Sequence, residues 1–175
     1  MLFRSIVGSA KKCEYVVERL GFDACVNYKS PDWRDQLEAA TPDGIDIDFE
    51  NVGGQVLDQI LARLNVGARI ALCGLISEYN RYGTPDVESD GHARPNVAQI
   101  LLANRAAMQS FLVLDHTDRF AEATAYLTDL ISRDQLTYDE TVVDGLEHAP
   151  DALNQMFDGS NTGKLLVRVA EPVPA

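Results

Sequence analysis

The chain has 175 residues, 46% hydrophobic and 24% charged, the composition of an ordinary globular domain and not of a disordered segment. Fifteen Lys+Arg against 27 Asp+Glu leave a net charge of −12, and a surface that acidic repels a phosphate backbone, which excludes nucleic acid as a partner. No apolar run approaches the roughly 20 residues that span a bilayer, so no membrane association is expected, and Met1-Leu2-Phe3-Arg4-Ser5 carries no secretory signal pattern.

Along the chain, Ile6-Val7 is short and β-branched, the tail of a buried strand, and is followed by Gly8-Ser9. Ser9 is placed to cap a helix in which Cys13, Val16, Val17 and Leu20 share one face, and Gly21 stops it. A strand at 24–28 leads to Ser30-Pro31, a cap-plus-first-turn pair opening a helix to about Ala40. After the turn Thr41-Pro42-Asp43-Gly44 come a strand at 45–50 and the clearest helix, 54–64, with Val56, Leu57, Ile60, Leu61 and Leu64 on one side. A strand at 69–73 runs into Gly74 and a polar loop over 75–95, a length that in a compact domain usually serves function. The remainder reads as a helix (96–107), a strand (111–114), a helix (118–132), a strand (138–143), a helix (147–157) and a strand (165–169).

Strands alternating with helices predict an α/β protein with a doubly wound parallel sheet. The central strands read as apolar, as when helices cover both faces, and ligands then bind beyond the carboxyl ends of the strands. Cys13, Cys25 and Cys73 are odd in number, widely spaced and set among apolar residues. They read as buried reduced thiols in a cytoplasmic protein. No C-x-x-C or H-x-x-x-H occurs, so a zinc site is unsupported. His92, His116 and His148 fall mostly in polar loops and read as solvated.

The strand ends carry a resemblance. Gly8-Ser9-Ala10-Lys11-Lys12, Leu20-Gly21-Phe22-Asp23, Asn27-Tyr28-Lys29, Glu50-Asn51-Val52-Gly53-Gly54, Cys73-Gly74-Leu75-Ile76-Ser77-Glu78-Tyr79-Asn80 and Gly159-Ser160-Asn161-Thr162-Gly163-Lys164 occur in that order. From about Ile6 to Val169 the chain resembles the C-terminal half of a zinc-independent medium-chain dehydrogenase/reductase, in the group of NADPH-dependent 2-alkenal, prostaglandin and curcumin reductases. That pattern carries Asp where Glu50 stands, and Leu2-Phe3-Arg4-Ser5 lies outside it.

The resemblance implies a Rossmann-like cofactor domain over 6–133 and a C-terminal segment, 134–175, that would join an N-terminal GroES-like domain. The Gly-rich turn for the pyrophosphate is not found after any strand, and we expect a sheet without its first strand. Loss of that central strand should split the sheet into a pair and a trio with exposed apolar edges, leaving the chain marginally folded and nearly without turnover.

For the site, the resemblance implies NADPH and a small enone or alkenal substrate. An NAD enzyme places an acid after the second strand of its sheet, for the ribose 2′-hydroxyl. Here Gly8-Ser9 is followed by lysines, and Lys12 suits a 2′-phosphate, although a solvated helix-turn lysine would look the same. Tyr28 would contact the adenosine portion. Asn51 would bond a ribose or nicotinamide group, with Gly53-Gly54 letting backbone approach the ligand. Cys73, Gly74, Leu75, Ile76 and Ser77 would line the nicotinamide ribose and ring, Cys73 as a buried packing residue and not a nucleophile. Phe111, Leu112 and Val113 would lie along the nicotinamide, with 111–114 also the edge strand of a homodimer. Asn161 would close over the nicotinamide end of the cofactor.

In the reaction implied, NADPH gives a hydride to the β-carbon of an α,β-unsaturated ketone or aldehyde, and charge gathers on the carbonyl oxygen. Tyr79 is the candidate donor to that oxygen, or else anchors a ribose while water supplies the proton. Two other readings are a Rossmann-like methyltransferase, which Leu61–Leu72 resembles in part, and a non-catalytic remnant that only binds.

Overall fold

In the computed structural model, residues 2–81 and 94–170 are described, and the expectations for His92 and most of the 75–95 loop lie outside them. Among the described residues seven strands alternate with six helices: β1 (Arg4–Val7), α1 (Ala10–Glu14), β2 (Ala24–Asn27), α2 (Trp33–Ala40), β3 (Ile45–Glu50), α3 (Gly54–Leu61), β4 (Leu64–Leu72), α4 (Val97–Asn104), β5 (Ala107–Ser110), α5 (Phe120–Ser132), β6 (Glu140–Asp144), α6 (Ala149–Asp158) and β7 (Lys164–Arg168). All strand pairing is parallel, as β1-β2, β3-β4-β5 and β6-β7. The sheet is thus divided into the expected pair and trio, with the last two strands pairing separately.

The chain forms two compact units, one of residues 1–31 with 122–175 and one of residues 32–121. In the first, Ser9 caps α1 as predicted, its hydroxyl accepting the Lys12 N–H at 3.2 Å. The helix continues as a π-helical turn over Tyr15–Arg19 and stops at Gly21, whose φ of 75° suits only glycine at low cost. Val16, Val26 and Ala152 are its buried apolar residues. In the second unit, Trp33 and Leu37 of α2 and Val56, Ile60 and Leu61 of α3 bury one face of each helix, joined by Leu64, Ala68 and Ile70 of β4. The i, i+4 spacing is what puts these side chains on one side.

Three expectations change. The strand placed at 111–114 lies at Ala107–Ser110 instead. Its length is set by its partner: pairing runs from Arg69↔Ala107 to Leu72↔Ser110 and ends where β4 ends, with a last bond from Phe111 N–H to the Leu72 carbonyl at 3.3 Å. Phe111 to Val113 therefore stand just past the strand tip, and Leu112, Val113 and Leu114 are exposed. The helix end read at Asn65-Val66-Gly67 is part of β4, which bulges there, as the register jumps from Ile45↔Leu64 to Ile47↔Arg69.

The third change concerns apolar coverage. β3 reads Ile-Asp-Ile-Asp-Phe-Glu, an alternation and not an apolar run. α3 packs on β3 and α4 on β4, and Ile70 and Glu50 are buried on the face that also carries Asp48. On the opposite face Ile47 and Phe49 are 59% and 63% exposed. Towards the carboxyl end of this strand the acidic side (Asp48, Glu50) is covered and the apolar side (Ile47, Phe49) is open. This open apolar face lies on β3, an edge strand of the trio.

Candidate functional site

In the first unit Lys12 stands on α1 just past β1, Tyr28 just past β2, and Asn161 in the loop between α6 and β7. Gly8 follows β1, and the Tyr28 N–H bonds the Val7 carbonyl at 3.0 Å, which draws the end of β2 against it. A side chain at Gly8 would stand 3.3 Å from the Tyr28 hydroxyl and from Lys29 Cε, so glycine leaves the tip flat for Tyr28 and Lys29 to lie across. The Lys29 ammonium stands 5.9 Å from the centre of the Tyr28 ring. Lys12 projects from α1 towards the end of α6, its Nζ 3.6 Å from where a Cβ on Gly159 would be. Lys29 Nζ reaches the Asp158 carbonyl at 3.5 Å. The Asp158 carboxylate accepts the Ser160 N–H at 2.7 Å, and the Ser160 side-chain hydrogen bond first, then this N–H and the nearby lysines, hold its pKa below the usual carboxylate value.

Asn161 is half-buried in the loop that follows, its amide donating to the Gly163 carbonyl at 3.1 Å. Next to it, Thr162 N–H donates to the Thr141 hydroxyl at 3.1 Å and Thr141 donates back to the Thr162 carbonyl at 2.7 Å. This pair fixes the loop to β6. A Cβ on Gly163 would collide with the Asp139 carbonyl, so the loop requires glycine there.

The second unit holds the other group: Asn51, Cys73, Gly74, Leu75, Ile76, Ser77 and Tyr79. Here the exits of β3 and β4 are joined through backbone. The Cys73 and Gly74 N–H groups bond the Glu50 carbonyl at 2.9 and 3.1 Å. The Ile76 N–H bonds the Asn51 carbonyl, and the Ser77 N–H the Val52 carbonyl, each at 3.0 Å. Glu50, buried, turns its carboxylate to the Val52 N–H and to the Gly53 N–H at 3.0 Å, so the acid organises the turn below Asn51. Reading the sequence placed Glu50 only as a departure from Asp. Its position at a strand end ahead of two glycines was the available signal for an N–H-binding acid.

Two site expectations need correction. Gly53 and Gly54, at φ of 75° and 56°, do keep side chains out, but the space is filled by the protein. A Cβ on Gly53 would come 2.9 Å from Leu75 Cδ2, and one on Gly54 would come 3.0 Å from the Ser77 hydroxyl. These glycines let the two exit loops touch. Cys73 is exposed and not buried, because β4 ends at Leu72 and Cys73 lies beyond the covered sheet. Cys13 and Cys25 are free and half-buried, and burial, then the neighbouring Cys13 thiol, pushes Cys25 up to about 12.

Tyr79 is exposed on a 3-10 turn over Ile76–Arg81, and its hydroxyl bends back over Gly74, 3.3 Å from where a Cβ would stand. Asn51 is exposed beside it, its Oδ1 and carbonyl each 3.7 Å from that same point. Arg94 donates to Glu78 at 2.7 Å. His116 and His148 are exposed, as expected. Among the described residues no group of three or more His, Cys, Asp or Glu is arranged to hold a metal ion, and no helix is long and apolar enough to cross a membrane.

The chain is a parallel α/β protein with polar and glycine-rich loops at its strand exits, where ligands of such sheets bind. Residues 5–129 match the family described as zinc-binding dehydrogenase, and the chain belongs to that family. It is 39% identical over 167 residues to the NADPH-dependent curcumin reductase of Escherichia coli (94% of this chain, 47% of that protein). It is 38% identical over 164 residues to the NADP(+)-dependent 2-alkenal reductase of Nicotiana tabacum (93% and 46%). Among solved structures, CurA from Vibrio vulnificus in complex with NADPH superposes with a TM-score of 0.87 at 40% identity, covering 97% of this chain and 50% of that one. The chain spans about half the length of the curated relatives it matches. Membership of this family sets the methyltransferase reading aside.

Proposed function

We propose that the chain is the cofactor-binding part of an NADPH-dependent reductase acting on the carbon–carbon double bond of α,β-unsaturated ketones and aldehydes. The observation that carries the reading is the β1/β2 tip. Tyr28 lies across Gly8, Lys12 stands on the helix that Ser9 caps just beyond it, and β1 leads into Gly8-Ser9 with no acid to meet a ribose 2′-hydroxyl. A cation at that position favours a phosphorylated ribose. The relatives, described as NADPH-dependent curcumin and 2-alkenal reductases, support the same cofactor and substrate class. Asn161 follows Asp158 and Gly159, the residues that Lys29 and Lys12 approach, and is assigned here to the phosphate and adenosine end in place of the nicotinamide end.

Asn51, the 73–77 segment and Phe111 to Val113 are assigned to the nicotinamide half. All three lie past the carboxyl ends of β3, β4 and β5, where ligands of parallel sheets bind. NADPH supplies the hydride when bound. The chain's own residues bind and orient it, and the Tyr79 hydroxyl, exposed over Gly74, is the donor for the developing enolate oxygen. The division into a cofactor domain at 6–133 and a segment at 134–175 belongs to the same proposal, as do a cytoplasmic location and a homodimer. The edge available to that dimer is β5, Ala107–Ser110, in place of 111–114.

The test is label transfer with NADPH deuterated at nicotinamide C4 and a simple enone, with the chain in stoichiometric excess and a long incubation so that residual turnover is enough to read. Deuterium at the β-carbon of the saturated ketone is expected. Deuterium at the carbinol carbon of an allylic alcohol contradicts the reading.

A further inference from the structure

We propose that Lys29 forms, with Lys12, a two-cation seat for the ribose 2′-phosphate, and that the C-terminal end of α6 with Asp158 occupies this seat when no ligand is present. The proposal rests on the NADPH reading above and adds a second phosphate-binding residue and a competing group to it.

Two ammonium groups reach one short segment from different elements. Lys12 comes from α1, with its Nζ 3.6 Å from the Cβ position of Gly159. Lys29 comes from just past β2, with its Nζ 3.5 Å from the Asp158 carbonyl. The segment they meet is the end of a ten-residue helix, where unpaired carbonyls concentrate partial negative charge, and it carries a carboxylate besides. Helix end and carboxylate together present to the lysines what a phosphate would present: negative charge and several acceptor oxygens.

The surroundings hold Lys29 in place. Lys29 is kept over the Tyr28 ring, and Gly8 leaves room for both side chains. The Asp158 carboxylate makes its short bond to the Ser160 N–H within its own turn, so the acid is held to the loop and not locked to either lysine. A phosphate monoester carries about −1.5 to −2 charge and three strong acceptor oxygens, more than this segment offers, so it displaces the resident group. A ligand without that phosphate gains nothing from the exchange. The two cations therefore favour the phosphorylated ribose, and displacing the resident segment takes back part of that gain.

The test is calorimetric titration of the whole chain with 2′,5′-ADP and with 5′-AMP. Wild type is expected to bind 2′,5′-ADP more tightly. Lys29→Met is expected to lose about three- to tenfold for 2′,5′-ADP and nothing for 5′-AMP, Lys29→Arg to retain the affinity, and Asp158→Asn to gain about threefold for 2′,5′-ADP. Wild-type preference with Lys29→Met and Asp158→Asn both unchanged overturns the two-cation seat and leaves the cofactor reading standing. No preference in wild type overturns the cofactor reading, and the seat with it.

Discussion

The two groups of site residues are held together by different forces. At the β1/β2 tip, the contacts are between charged or polar side chains on separate elements: Lys12, Lys29, Tyr28 and the end of α6. At the β3/β4 tip they are backbone hydrogen bonds between two loops, with glycines where the loops touch and one buried carboxylate beneath. The first arrangement is exposed and adjustable, and suits selection by charge. The second fixes backbone positions and suits selection by shape.

The largest effect should come from breaking the backbone-built tip. Gly53→Val must place a branched side chain at φ 75° and 2.9 Å from Leu75. We expect a loss of about 3 kcal/mol or more in urea unfolding followed by Trp33 fluorescence. A loss under about 1 kcal/mol would mean that the loops are not joined as described.

Asp48 sharpens the contrast from beneath the same tip. Burial, with Glu50 adding, pushes its carboxyl from 3.8 up to about 7, and its Oδ2 is buried without a hydrogen-bond partner. The folded state therefore holds this proton more tightly than the unfolded chain does. Stability from this group falls as pH rises from about 4 to about 7 and levels off above. Asp48→Asn should raise stability at pH 8 by on the order of 2 kcal/mol more than at pH 5, the value being reduced by partial exposure. Equal gains at the two pH values would remove the ionisation from the account.

Much of this was readable in advance. The alternation of strands and helices, the pair-and-trio division and the Ser9 cap follow from periodicity and topology, which act locally or through chain order. The strand at 107–110 was not readable, because Ala-Met-Gln-Ser is a poor strand sequence beside Phe-Leu-Val-Leu, and its pairing with β4 overrides propensity. The inverted burial of β3 was missed for a related reason: Ile-Asp-Ile-Asp-Phe-Glu signals alternation but not which side is covered. In the site, Lys12 and Tyr28 announced themselves by position, whereas Lys29 and Asp158 meet across 129 positions of sequence. Only the folded chain brings them together.

The central claim is that Lys12 at the β1/β2 tip reads the 2′-phosphate of NADPH. Its most direct test is the ratio of NADH to NADPH dissociation constants, for the chain and for Lys12→Met. We expect wild type to favour NADPH and Lys12→Met to cut that ratio about 10- to 100-fold, with NADH binding unchanged, as for loss of a charge-assisted bond to phosphate. Equal affinity for the two cofactors in wild type, or a preference that survives in Lys12→Met, would contradict it.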